Sequence, residues 1–327
     1  MRISLLSLFV LGATGLLNAQ QGTLSSPITG FVFDRSSGAL RPVQGVPGAS
    51  LLGDGVNFGL PVSTVWVAPR QDSAIVVGVD QSLHLFLLNN GAPSEVSLGG
   101  FSVMPERAIF SPSGTAVALI AGNSAKVLTG LPNAPQLIGS VKVESQTFAM
   151  QIGIQSATFS SPSMALSDDG TYLLTVAQGS ARLLSVQGQN RSLIPAQSSA
   201  QVAFAAGNHD AAVIDSLTGL TLIRDAAGAA GTVLLAAPDE GLAGPAGVAF
   251  SRDESTLYVA SGKAQSVAAF NLASASRTAI GCACTPTTIV PMGNVFRLTE
   301  LTSGPLWLFD GTAATPRTVF VPARVAE

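Results

Sequence analysis

The sequence predicts an all-β fold, a β-propeller of seven four-stranded blades, with six or eight blades as the alternatives. Three observations predict it. An apolar tripeptide, a polar turn of about four residues and a second apolar run recur along the chain, at intervals near the length of one propeller blade. The 34 glycines and 19 prolines are spread rather than clustered, as many short strands joined by tight turns require. Few windows beyond the N-terminus place apolar residues at i, i+3, i+4 and i+7 without a glycine or proline between them, so helices are not expected.

The first nineteen residues stand apart. Arg2 supplies a positive start, Ile3 to Leu17 is apolar, and Leu17-Asn18-Ala19 resembles a cleavage site before Gln20. Residues 1–19 therefore read as a signal peptide and residues 20–327 as a single propeller domain. No later apolar span approaches the roughly 18 residues of a membrane helix, so no membrane span is expected once the signal is removed. The destination is secreted or periplasmic.

Residues Ile28 to Val43 form one hairpin, followed by Leu51 to Leu60, and together they make an atypical first blade. Six regular units follow from Pro61 to Ala323. Aligned on the third apolar residue of each first strand, they give Val67, Phe110, Leu166, Phe204, Phe250 and Val290, at separations of 43, 56, 38, 46 and 40 residues. Repeats of this size cannot bury an apolar face alone and must stack on their neighbours. The longest interval holds an insertion, assigned to Val141–Ser160. A second pattern recurs at Asp34, Asp215, Asn271 and Asp310: a strand, an Asp or Asn, a Gly- or Ser-containing turn, and a return strand. Side chains of this type bond their own backbone two residues on, so these acids read as turn formers. Ala226–Ala230 is alanine-rich but carries Gly228 and is followed by Gly231, and reads as a loop.

Phe110-Ser111-Pro112-Ser113-Gly114, Leu166-Ser167-Asp168-Asp169-Gly170 and Phe250-Ser251-Arg252-Asp253-Glu254 resemble the Phe-Ser-Pro-Asp-Gly turns of secreted bacterial propellers with YVTN, NHL or TolB-like repeats. Ser113 replaces the usual Asp and Asp168 the usual Pro. The resemblance covers three good blades and three eroded ones. It implies architecture and says little of activity, because such propellers include receptors, scaffolds and enzymes.

Chemistry is sparse. The net charge is −3 and charged residues make up 11 % of the chain, which excludes a basic nucleic-acid surface. There are two histidines. His84 alternates with apolar neighbours, and His209-Asp210 sits in a turn without a Gly-x-Ser-x-Gly elbow in the chain, so neither reads as catalytic. Asp168-Asp169 and Asp239-Glu240 are paired carboxylates, but sequence neighbours diverge, and they read as solvent-facing turn acids. The first strands read as Val65–Val67, Ala108–Phe110, Met164–Leu166, Val202–Phe204, Val248–Phe250 and Thr288–Val290, without an acid or a histidine for a channel metal. A calcium or hydrolytic site would depend on loop residues such as Glu106, Asn208 or Asp253 converging at one mouth. Trp66 and Trp307 lie in apolar strands and read as core. Asn190-Arg191-Ser192 fits a glycosylation acceptor, without a context to support its use.

Cys282 and Cys284 flank one residue; in an exported chain they read as a local disulfide or as two free thiols in a loop. No third ligand lies nearby for a metal. The expected function is an exported, non-catalytic scaffold for another envelope or extracellular protein or a glycan, without cofactor, metal or catalytic residue. The alternative is a metal-dependent propeller hydrolase or lactonase with a loop-borne site.

Overall fold

The computed structural model describes residues 26–89, 92–144, 163–238, 240, 242–302 and 304–323. They form seven antiparallel sheets and no helix. Sheet 1 holds β1 (Ile28–Asp34), β2 (Ala39–Val46) and β3 (Ala49–Leu52). Sheet 2 holds β4 (Val62–Val67), β5 (Ser73–Gly78), β6 (Leu83–Asn89) and β7 (Ala92–Val96). Sheet 3 holds β8 (Arg107–Phe110), β9 (Ala116–Ala121), β10 (Ser124–Thr129) and β11 (Gln136–Lys142). Sheet 4 holds β12 (Met164–Leu166), β13 (Tyr172–Ala177), β14 (Ser180–Ser185) and β15 (Asn190–Pro195). Sheet 5 holds β16 (Gln201–Phe204), β17 (Ala211–Asp215), β18 (Gly219–Arg224) and β19 (Gly231–Ala236). Sheet 6 holds β20 (Pro245–Phe250), β21 (Thr256–Ser261), β22 (Ser266–Asn271) and β23 (Arg277–Gly281). Sheet 7 holds β24 (Val290–Met292), β25 (Val295–Arg297), β26 (Leu306–Asp310) and β27 (Arg317–Val321). Within each sheet the strands pair in chain order, as hairpin-linked blades must.

Side-chain alternation explains the closed ring. In β5, Ala74 and Val76 pack with Phe31 and Leu40 of sheet 1, while Ile75 packs with Val117, Leu119 and Leu128 of sheet 3. Successive residues of one strand thus feed opposite neighbours. Both faces are dry, so the middle strands read as unbroken apolar runs such as Ser73-Ala74-Ile75-Val76-Val77. The same arrangement fills every interface: Val127 against Leu166 and Leu173, Leu174 against Phe204, Phe250 against Ile214, Tyr258 against Phe309, and Met292 against Val32 and Val43. Each of the seven interfaces carries its own cluster, and the seventh joins the last sheet to the first.

Sheet 1 has three strands where four were expected, and the missing one is the innermost. β1 contacts both β24 and β4, and β3 lies beside β27, the outer strand of sheet 7. The turn after β24 bonds directly to the turn after β4, Gly293 N–H donating to Pro69 O at 2.8 Å. Six first strands therefore close the inner rim, and β1 sits behind it. Two side chains fill the vacant place. Gln71 Oε1 accepts the Phe31 N–H at 2.7 Å, and its amide donates to Ala68 O. Met292 occupies the space a Cβ at residue 30 would need, so only glycine fits at Gly30.

Four sequence expectations change. Val290 opens β24 and is exposed, whereas Met292 takes the buried position assigned to it, because Pro291 lies between them. Val141 and Lys142 belong to β11 rather than to an insertion; residues 145–162, like residues 1–19 and Asp239, lie outside the described residues. The Asp/Asn turn pattern does not hold one place in the blade. It follows β1 in sheet 1, β17 in sheet 5 and the third strand in sheets 6 and 7. Trp66 and Trp307 are half-buried rather than interior, each packed at the edge of a cluster.

Candidate functional site

The turns joining first and second strands form one tier around the hub. Asp168 is its rivet: Oδ1 accepts the Ser113 N–H of sheet 3 and Oδ2 the Gly207 N–H of sheet 5, both at 2.7 Å. One half-buried carboxylate thus ties three blades together, which corrects its reading as a solvent-facing acid. Asp169 accepts from Ser167 Oγ and Thr171 N–H and pairs with His209 Nε2 at 3.2 Å. Burial pushes the Asp169 carboxyl up, but the donors of Ser167, Thr171 and His209 outweigh it and hold it below the usual range. Asn208 of the same tier donates to Glu254, and Arg252 to Asn294.

These contacts are architectural. Ser167 is fully buried and also accepts the Tyr172 N–H, so no nucleophile faces the His209–Asp169 pair. Asp253 is held below the usual range by Ser251 and Ser255 and completes its own turn. Glu106 precedes β8 and accepts the Gly122 N–H, at the end of β8 opposite the tier that carries Asn208 and Asp253. Glu106 is therefore not brought together with Asn208 and Asp253. Among the described residues no group of three His, Cys, Asp or Glu side chains is placed to hold a metal ion.

The first strands hold no acid and no histidine, but Arg107 and Gln201 open two of them. Reading the third blade from Ala108 passed over Arg107, one residue upstream. It is half-buried, and desolvation pushes its guanidinium pKa down.

His84 joins a string of polar groups on the outer half of sheet 2. Its Nδ1 meets Glu95 Oε1 at 2.7 Å and its Nε2 meets Ser82 Oγ at 2.6 Å. The order matches a nucleophile–base–acid relay, but the chemistry does not follow. Ser82 donates its one hydrogen to Asp80, so in the contact with His84 the ring Nε2 is the donor and cannot serve as base to the serine. The string works as a strand-end tie.

Cys282 and Cys284 lie at disulfide-bonding distance, with Cα atoms 5.0 Å apart, packed with Tyr258, Phe296 and Leu298 between sheets 6 and 7. Their surroundings among the described residues are apolar.

Two clefts stand out among the described residues. The first, about 550 Å³, is a groove between β3 and β27, the outer strands of sheets 1 and 7. Leu51 and Phe320 line it at 64 % and 53 % exposure. Phe320 packs beside Trp307, with ring centroids 5.7 Å apart and the planes tilted by 51°. Ser50 lies in its floor at 6 % exposure, and its hydroxyl has no hydrogen-bond partner. The second, about 480 Å³, is a polar cleft between sheets 3 and 4. Neither was visible in the sequence, because each needs outer strands from two blades.

No family model matches the chain, and no curated protein matches it. Solved structures do. The crystal structure of a functionally unknown protein from Desulfotomaculum acetoxidans DSM 771 is similar with a TM-score of 0.55 and 14 % identity, covering 90 % of this chain and 100 % of that one. A chain in the crystal structure of a nidogen/laminin complex gives a TM-score of 0.47 and 13 % identity, over 74 % of this chain and 90 % of that one. At these identities the likeness is one of fold, and it rests on the first of them.

Proposed function

We propose that the chain is an exported, non-catalytic β-propeller that binds an extended segment of another envelope or extracellular protein in the groove between β3 and β27. The observation that carries this reading is the groove itself. Two large apolar side chains are held exposed beside two sheet edges, over a buried hydroxyl that lacks a partner. β3 and β27 are the edge strands of their sheets, so their outer backbone groups are unpaired within the sheets. An added strand satisfies such an edge, and its side chains fill the apolar groove. A buried hydroxyl without a partner costs about 1–3 kcal/mol, and a peptide carbonyl at Ser50 would recover part of it. The reading as an exported chain with YVTN, NHL or TolB-like repeats is supported by residues 1–19 and by the turns after Phe110, Leu166 and Phe250.

Site-specific photo-crosslinking tests this in the organism's own envelope fraction. A crosslinker at position 51 or 320 is expected to yield the same protein adduct, and one at Leu217, equally exposed but distant, to yield none. Adducts indifferent to position would overturn the reading. N-terminal sequencing of the exported protein is expected to begin at Gln20.

A further inference from the structure

Among the described residues the Ser50 hydroxyl is the one buried side-chain polar group without a hydrogen-bond partner, and it lies in the floor of the β3–β27 groove. Buried polar groups in folded proteins are paired as a rule, so a hydroxyl left over inside a groove marks where a ligand atom would bond. The backbone of Ser50 faces the open edge as well. Ser50 stands opposite Gly45 in the β2–β3 ladder, and Gly45 spends both of its backbone groups on the other side. Its N–H donates to Pro27 O at 2.7 Å, and its carbonyl accepts from Thr29 Oγ at 2.6 Å. Further along, Gly53 N–H donates to Pro42 O, so Gly53, Leu51 and Ala49 turn their backbone toward β2. Bonding direction alternates residue by residue in an antiparallel ladder, and the N–H and C=O of Ser50 therefore point out of the sheet.

A strand laid antiparallel on that edge sets one residue opposite Ser50 and exchanges both backbone bonds with it. Cross-strand neighbours share a face, so the side chain of that residue meets the Ser50 hydroxyl. A peptide carbonyl can take the hydroxyl's proton but leaves its lone pairs without a donor. A short hydroxyl side chain answers both, as in the Thr–Ser pairs of ordinary sheets. Ala49 and Leu51 turn their side chains to the opposite face, where the residues flanking that hydroxyl would lie. Leu51 is exposed there and calls for an apolar cover. None of the lining residues is charged, so an ionised side chain entering the groove would lose its water without gaining a counter-ion. A neutral segment is the electrostatic complement.

We infer that the groove takes from another protein a neutral, extended segment, added antiparallel to β3, with a serine or threonine opposite Ser50 and apolar residues on either side. This rests on the reading of the groove as a strand-binding site and names the segment it selects.

Fluorescence anisotropy with labelled peptides tests it. The probe carries a central threonine between pairs of valines, with a lysine at each end for solubility. Its controls carry valine, which keeps the shape without the hydroxyl, or aspartate at the centre. The threonine peptide is expected to bind with a Kd below about 1 mM, the valine peptide about fivefold more weakly and the aspartate peptide at least about tenfold more weakly. In Ser50→Ala the threonine and valine peptides are expected to bind alike. That variant loses a hydroxyl without a partner, so its urea midpoint in the absence of peptide is expected to equal or exceed that of the parent. Equal affinities for threonine and valine in the parent, a preference that survives in Ser50→Ala, or a lowered midpoint in that variant would each overturn the inference and leave the groove as an unselective strand-binding site. No binding by any of the peptides would overturn both readings. Self-association of the protein that the peptide displaces would seat a second copy in the groove and also overturn both.

Discussion

At the residue scale, single polar side chains do work that secondary structure does elsewhere in the ring. Gln71 takes the hydrogen bond an inner strand of sheet 1 would have accepted from Phe31. Gln71→Ala leaves that part-buried N–H without its partner and is expected to lower unfolding free energy by about 1–2 kcal/mol in urea titration. A change within experimental error would show that water replaces the amide. Asp168→Asn keeps one acceptor oxygen where two are used, and a loss of about 1–2 kcal/mol is expected in the same measurement. Asp34 supplies a pH dependence. Burial raises its carboxyl pKa, but Ser36, Ser37 and Arg41 outweigh this and hold it far below the usual range. A folded-state pKa below the unfolded value gives stability that is present above about pH 4 and lost as pH falls further. The urea midpoint is therefore expected to be flat from neutral pH to about 5 and to drop below about 4, with a shallower drop in Asp34→Asn. An identical acid limb in the variant would assign the dependence to other acids. These roles were only half legible. That Asp34 and Asp215 form turns follows from their neighbours in sequence. That Asp168 ties three blades does not, because Ser113 and Gly207 lie 55 and 39 residues away.

At the scale of elements, the pattern read most reliably was the one whose cause is local. An apolar tripeptide before a serine-led turn marks a first strand, because the hydroxyls of Ser111, Ser167 and Ser251 each accept the N–H that starts the next strand. Sheets 2, 5 and 7 lack this serine, and in sheet 7, where Pro291 lies inside the first strand, the assignment slipped by two residues. The Cys282–Cys284 connection belongs to this scale. Intact protein treated with iodoacetamide before reduction is expected to gain no mass, as a disulfide requires. The enclosed loop is so short that Cys282→Ser with Cys284→Ser is expected to cost no more than about 2 kcal/mol of chain-entropy stabilisation. Two alkylated thiols in unreduced protein would establish the open form instead.

At the scale of the whole molecule, seven interfaces each carry a core cluster, and every blade forms one wall of two of them. Sheet 1 forms one wall of two of them, through Phe31 and Leu40 on one side and Val32 and Val43 on the other. That role was not readable in advance: the closure depends on Gly293 meeting Pro69, a contact between residues far apart in the chain. The two cavities escaped for a related reason. Nothing local distinguishes a serine or threonine that finds a partner from one that does not.

Removal of sheet 1 is the most direct measurement, made as urea unfolding of a chain lacking residues 26–53 against the full protein. The loss of one wall from two apolar interfaces predicts that the shortened chain shows no cooperative transition, or one at a much lower midpoint. A cooperative transition at the original midpoint would mean that six blades close without it and that the seventh is an appendage.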